Sequence, residues 1–108
     1  MAVFNVVNTL DAGAGSLRDA INMANGNGEA DIINFDASLS GMSIGLTSGE
    51  LLITEGLTIN GLGANLLTVD AGMNGFQVFS IDDGITSNFI DVFINGLTIT
   101  GGSATENF

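Results

Sequence analysis

Carboxylates are the only abundant ionisable groups in this sequence. Twelve Asp and Glu stand against one base, Arg18, with no His, Cys, Lys, Tyr or Trp. Paired carboxylates can hydrolyse glycosides as acid and base, and clustered ones bind Ca²⁺ as hard oxygen ligands. Asp82 and Asp83 are the obvious pair, with Asp91 a third oxygen donor nearby in the chain. Adjacent residues in a strand point to opposite faces, so Asp82 and Asp83 do not converge there. The glycine-rich nonapeptide of calcium β-rolls is absent, as is any EF-hand spacing, and a solvated turn is the simpler reading of these acids. Gly13-Ala-Gly15 and Gly61-Leu-Gly63 lack the lysine or the further glycines of a phosphate loop and read as corners. The expectation is therefore no enzyme, with no catalytic, cofactor-binding or metal-ligating residue, and Ca²⁺ unsupported by a motif.

Arg18 belongs to the segment best defined by its period. Leu17, Ala20, Ile21 and Ala24 fall at i, i+3, i+4 and i+7, the stripe of an amphipathic helix over 16–25. Ser16 is its expected N-cap, Asp19 places a carboxylate in the positive first turn, and Gly26 is expected to close it in the left-handed conformation. Arg18 has two roles open to it: a surface pairing with Asp11 or the Asn22 carbonyl, or anchoring the cap onto the first coil. Ahead of the helix, residues 3–7 are β-branched and aromatic and predict a strand. Asp11 to Gly15 supply a turn.

After Gly28 the helical period gives way to apolar-polar-apolar triplets. Ile33-Asn-Phe-Asp36, Leu57-Thr-Ile-Asn60, Phe79-Ser-Ile-Asp82 and Leu97-Thr-Ile-Thr100 share one pattern at spacings of 24, 22 and 18 residues. Gly56-Leu-Thr-Ile-Asn-Gly61 matches Gly96-Leu-Thr-Ile-Thr-Gly101 at 40 residues, which two turns of about 20 would explain. A shorter match, Ile59-Asn-Gly-Leu62 with Ile94-Asn-Gly-Leu97, offers a rival register of 35 residues. Further strands are expected at 43–47, 51–54, 67–70 and 91–95. Sixteen glycines with many Asn and Asp supply the corners.

Such a pattern predicts an all-β right-handed parallel β-helix of about three to four coils, with one N-terminal capping helix. The competing architecture is an antiparallel β-sandwich of short strands. In the solenoid, inward positions form apolar stacks, here Ile33 and Phe35, Leu57 and Ile59, Phe79 and Ile81, Leu97 and Ile99. Asp36, Asn60, Asp82 and Thr100 would follow in the turn series, where asparagines stack along the axis. Length allows one domain over 1–108, with 1–28 as strand and cap and 29–108 as coils.

Composition narrows the partners. A formal charge of −11 repels nucleic acid and anionic lipid, and no apolar run of about 18 residues spans a bilayer. Residues 1–10 have neither the basic start nor the apolar centre of a secretion signal.

Four stretches together, Asn8-Thr-Leu-Asp-Ala-Gly-Ala-Gly-Ser-Leu-Arg-Asp-Ala-Ile21, Ala30-Asp-Ile-Ile-Asn-Phe-Asp36, Gly56-Leu-Thr-Ile-Asn-Gly61 and Gly96-Leu-Thr-Ile-Thr-Gly-Gly102, resemble the start of bacterial right-handed parallel β-helix surface proteins of the adhesin-like and polymorphic outer-membrane type. The resemblance implies a secreted or cell-surface scaffold, and this chain ends where such proteins continue into further coils. The resulting expectation is a structural module that stacks end to end on itself or on further coils, into filaments if residues 3–7 add to a neighbour's last coil. The alternative is a glycan- or surface-binding face carrying Thr58, Thr68 and Thr98. A fragment of a polysaccharide-active β-helix enzyme ranks third.

Overall fold

The computed structural model describes residues 2–27, 29–63, 65–72, 78–81 and 92–100. Its elements are β1 (Val3–Val6), α1 (Leu17–Asn25), β2 (Asp31–Phe35), a 3-10 turn (Ala37–Leu39), β3 (Met42–Gly45), β4 (Leu51–Ile53), β5 (Leu57–Asn60), β6 (Leu67–Asp70), β7 (Phe79–Ile81), β8 (Val92–Asn95) and β9 (Thr98–Thr100). The described residues are mostly strand with one α-helix, and their strands form three small sheets, β1-β2-β5-β8, β3-β6-β9 and β4-β7. Every pairing among the described strands is parallel, which excludes the antiparallel sandwich. From β2 onward the chain visits the first, second and third sheets in turn and then repeats the order.

Alternation in the strands explains the core. In β2 and β5 every second residue is buried, and Ile33, Ile59, Val69, Leu51 and Phe79 are fully enclosed. One continuous cluster joins all three sheets to the helix stripe Leu17, Ala20, Ile21 and Ala24. The inward residues expected from the sequence are inward, with Leu97 and Ile99 only partly covered. The side chain of Ile81 lies outside the described residues.

Stacking differs from expectation. The four similar triplets do not form one stack: those beginning at Ile33 and Leu57 are on paired strands, offset by two residues, but Phe79–Ile81 pairs with Leu51–Ile53, and Thr98 and Ile99 pair with Thr68 and Val69. Ile33 pairs with Ile59 and Ile59 with Ile94, so the 35-residue register is the one adopted and the 40-residue match joins two different sheets. An alternating triplet suits any inward-facing strand, so its recurrence reports a face and not a neighbour.

Ser16 caps α1 as expected, its hydroxyl accepting from the Asp19 amide at 3.1 Å. The closing residue differs. Gly26 is right-handed (φ −89°, ψ −7°), and a tightened last turn satisfies the end, with the Gly26 amide donating to Met23 O at 3.2 Å. Asp36 caps the 3-10 turn, where the Ser38 hydroxyl and then the Ser38 amide hold its carboxyl below the usual range. No helix among the described residues is long and apolar enough to cross a membrane.

Candidate functional site

Side chains of the N-terminal segment are concentrated on one strand edge. Among the described strands β4 is at the edge of the third sheet, and its backbone groups on the side away from β7 have no strand partner there. Arg18 and Asn25 stand seven residues apart, two turns of α1, and so share a face beside the buried stripe. Asn25 substitutes for a strand: its Nδ2 donates to Leu52 O at 2.8 Å and its Oδ1 accepts from the Thr54 amide at 2.9 Å. Arg18 donates to Glu50 O at 2.8 Å and to Gly49 O at 2.6 Å. These bonds tie the helix to the segment ahead of β4, and the anticipated pairing is present as well, since its Nε donates to Asp11 O at 3.1 Å and Nη2 to Asp11 Oδ1 at 3.3 Å. The partner is Asp11 rather than Asn22.

Asp11 completes the seam. Its carboxylate accepts from the Thr47 amide at 2.8 Å and the Ser48 hydroxyl at 2.5 Å. Partial burial disfavours its charge, but the bonds from Ser48 and Thr47 and the charge and hydrogen bond of Arg18 outweigh it and lower the pKa to about 2. A depressed folded pKa stabilises the protein above the unfolded value of 3.8, and that contribution is lost as pH falls from about 4 through about 2. After screening the effect is about 1–2 kcal/mol. Asp11→Asn is expected to flatten the acid limb of the thermal-unfolding profile in that window; an unchanged limb would show that Asp11 carries no linkage.

A second array crosses the whole first sheet. Asn5 is opposite Asn34, Asn34 opposite Asn60 and Asn60 opposite Asn95. Asn60 Nδ2 donates to Asn34 Oδ1 at 3.2 Å, and Asn95 Nδ2 to Asn60 Oδ1 at 3.3 Å, linking residues 26 and 35 apart in sequence. Stacked amides of this kind bond along the sheet while leaving the backbone ladder intact. Of the anticipated series Asp36, Asn60, Asp82 and Thr100, only Asn60 is seen in this row; Asp36 and Thr100 are not in it, and Asp82 lies outside the described residues.

Asp31 was not apparent as a special residue from the sequence. It is in an inward row otherwise held by Leu57 and Val92, and is 1% exposed. Oδ1 accepts from the Ala2 amide at 2.9 Å and Asn27 Nδ2 at 2.8 Å, while Oδ2 is buried without a hydrogen-bond partner. These bonds tie both ends of the cap segment to β2. An acid in phase with Ile33 and Phe35 was the available signal.

Thr68 and Thr98 are adjacent in the second sheet, in a row begun by Ser43, but Thr58 is in the first sheet, so the three threonines do not share a face. Asp83 and Asp91, like Asp82, lie outside the described residues. Among the described residues no three His, Cys, Asp or Glu approach closely enough to hold a metal ion. What the site can do is hold backbone, through hydrogen bonds that substitute for or extend strands. Comparison with family models, with curated proteins and with solved structures gave no match.

Proposed function

We propose that this chain is a non-catalytic stretch of right-handed parallel β-helix, acting as a structural, self-associating module of an extracellular or cell-surface protein. The parallel in-register ladders and the repeated visiting order of the three sheets support the architecture. So does the family resemblance carried by residues 8–21. One observation carries the function: among the described residues, inward side chains are enclosed in the inner strands of the first sheet and only partly covered in its outer strands, at Phe4 in β1 and at Val92 and Ile94 in β8. Ile33 and Ile59 are fully buried, whereas Val92, Ile94 and Ile99 in the last described strands, and Leu97 between them, are partly exposed. An edge of this kind is extended by another strand layer.

Burying a large apolar side chain contributes about 1.5–3 kcal/mol from full exposure, so covering four half-exposed ones yields only several kcal/mol. Association costs a comparable amount, and a charge of −11 on each copy opposes it at low salt. Scattering measured up to about 1 mM, where about −4 kcal/mol suffices, is expected to show particles that lengthen with concentration and with added salt. A monomer throughout that range overturns the stacking reading.

A second reading rests on the hydroxyl row Ser43, Thr68 and Thr98 on the second sheet, a flat polar strip suited to glycan. A glycan array without binding removes it.

A further inference from the structure

We infer that the layer added at the open end is β1 of a second copy, joined to β8 in one register: Phe93 opposite Val3, Ile94 opposite Phe4 and Asn95 opposite Asn5. The inference rests on the stacking reading and specifies its interface. Among the described residues β1 and β8 are the two outer strands of the same parallel sheet, so each offers one unpaired edge.

Backbone direction selects the register class. The Ile32 amide donates to Ala2 O and the Asp36 amide to Val6 O, so Ala2 and Val6 turn their polar groups toward β2, while Val3 and Asn5 turn theirs outward. At the other edge the Gly61 amide donates to Asn95 O, so Asn95 and Phe93 face β5, while Val92 and Ile94 face outward. A parallel partner opposite residue i bonds through its residues before and after that position. With Ile94 opposite Phe4, the Ile94 amide donates to the carbonyl of Val3, and the amide of Asn5 donates to the carbonyl of Ile94. A shift by one residue turns these groups away from each other and also reverses the side-chain faces.

Side chains choose among the registers that remain. Phe4 and Ile94 are both partly buried inward residues packed on the core, so placing them opposite each other continues the row Phe4, Ile33, Ile59, Ile94. Asn95 then meets Asn5, and the amide row Asn5, Asn34, Asn60, Asn95 runs unbroken from one copy into the next. On the outer face Val3 is 54% and Phe93 61% exposed, and this register sets the two side by side. A shift of two residues would set Asn95 against Val3 and lose both pairings.

The test uses the full chain, which has no cysteine of its own. Val3→Cys and Phe93→Cys each place one thiol at an exposed position, and mixing them under oxidising conditions reports the junction on a non-reducing gel. Directly opposed residues of neighbouring strands lie within disulfide reach. The Val3→Cys and Phe93→Cys mixture is expected to form mixed dimer about tenfold faster than a mixture of Val3→Cys with Leu52→Cys, an exposed site on the third sheet. Particle growth in scattering with equal cross-linking in the two mixtures overturns this register and leaves stacking in place. Absence of both particle growth and cross-linking overturns both.

Discussion

Gly61→Ala is expected to destabilise the protein by about 3 kcal/mol or more, a large share of the about 5–15 kcal/mol that holds an ordinary domain together. A Cβ at Gly61 would lie 2.1 Å from Gly96 O and 2.5 Å from the Gly96 carbonyl carbon. Those atoms are backbone and have no rotamer into which to retreat. Relief requires separating the strands ends, at the expense of the Gly61 amide to Asn95 O bond at 2.8 Å and the Gly63 amide to Gly96 O bond at 2.9 Å. Gly96→Ala meets the same contact from the other side, with Gly61 O at 2.7 Å, and adds the strain of a side chain at φ +68°. Gly45→Ala is the control: nothing lies within 4 Å of its Cβ, and the substitution is expected to be neutral or slightly stabilising. Urea denaturation of the three variants measures this, and equal midpoints for Gly61→Ala and Gly45→Ala would refute the close approach.

Ile21→Asp should remove the cap, because Ile21 is 1% exposed within the buried stripe of α1 and an unpaired carboxylate there costs several kcal/mol. Undocking the helix also withdraws Asn25 from Leu52 O and Thr54 N and Arg18 from Gly49 O and Glu50 O. The first edge of the third sheet is then left unpaired beside exposed apolar core. Aggregation and loss of a cooperative unfolding transition are the expected readouts. Met23→Asp, at a 47% exposed position of the same helix, is expected to change stability by no more than about 0.5 kcal/mol. A soluble, cooperatively folding Ile21→Asp protein would show that the helix is dispensable as a cover.

The two substitutions probe different kinds of information. Ile21 was legible as a core residue because local periodicity alone places it, with Leu17, Ala20 and Ala24, on one side of a helix. The Gly61 and Gly96 contact was not, although the repeated Ile-Asn-Gly-Leu that contains it is visible in the chain. Its 35-residue spacing competed with a longer match at 40. The longer match proved to compare a strand of the first sheet with one of the second. Composition similarity rewards equivalent environments, and every inward strand of this chain presents the same environment. Asn5, Asn34, Asn60 and Asn95 each follow a large apolar residue, Phe4, Ile33, Ile59 and Ile94, and that recurring pair was the better guide to register.

Local chemistry in the sequence therefore determined the helix and its Ser16 cap, the positions of the strands and which of their side chains point inward. Those properties depend on neighbours within a few residues, where backbone sterics and period act. Only the tertiary structure decided which strand lies on which, that Asn25 and Arg18 reach the edge of β4, and that Asp31 is enclosed in an otherwise apolar row. Those outcomes depend on the lengths of the connections and on the joint closure of three sheets around one core, and no single segment contains that information.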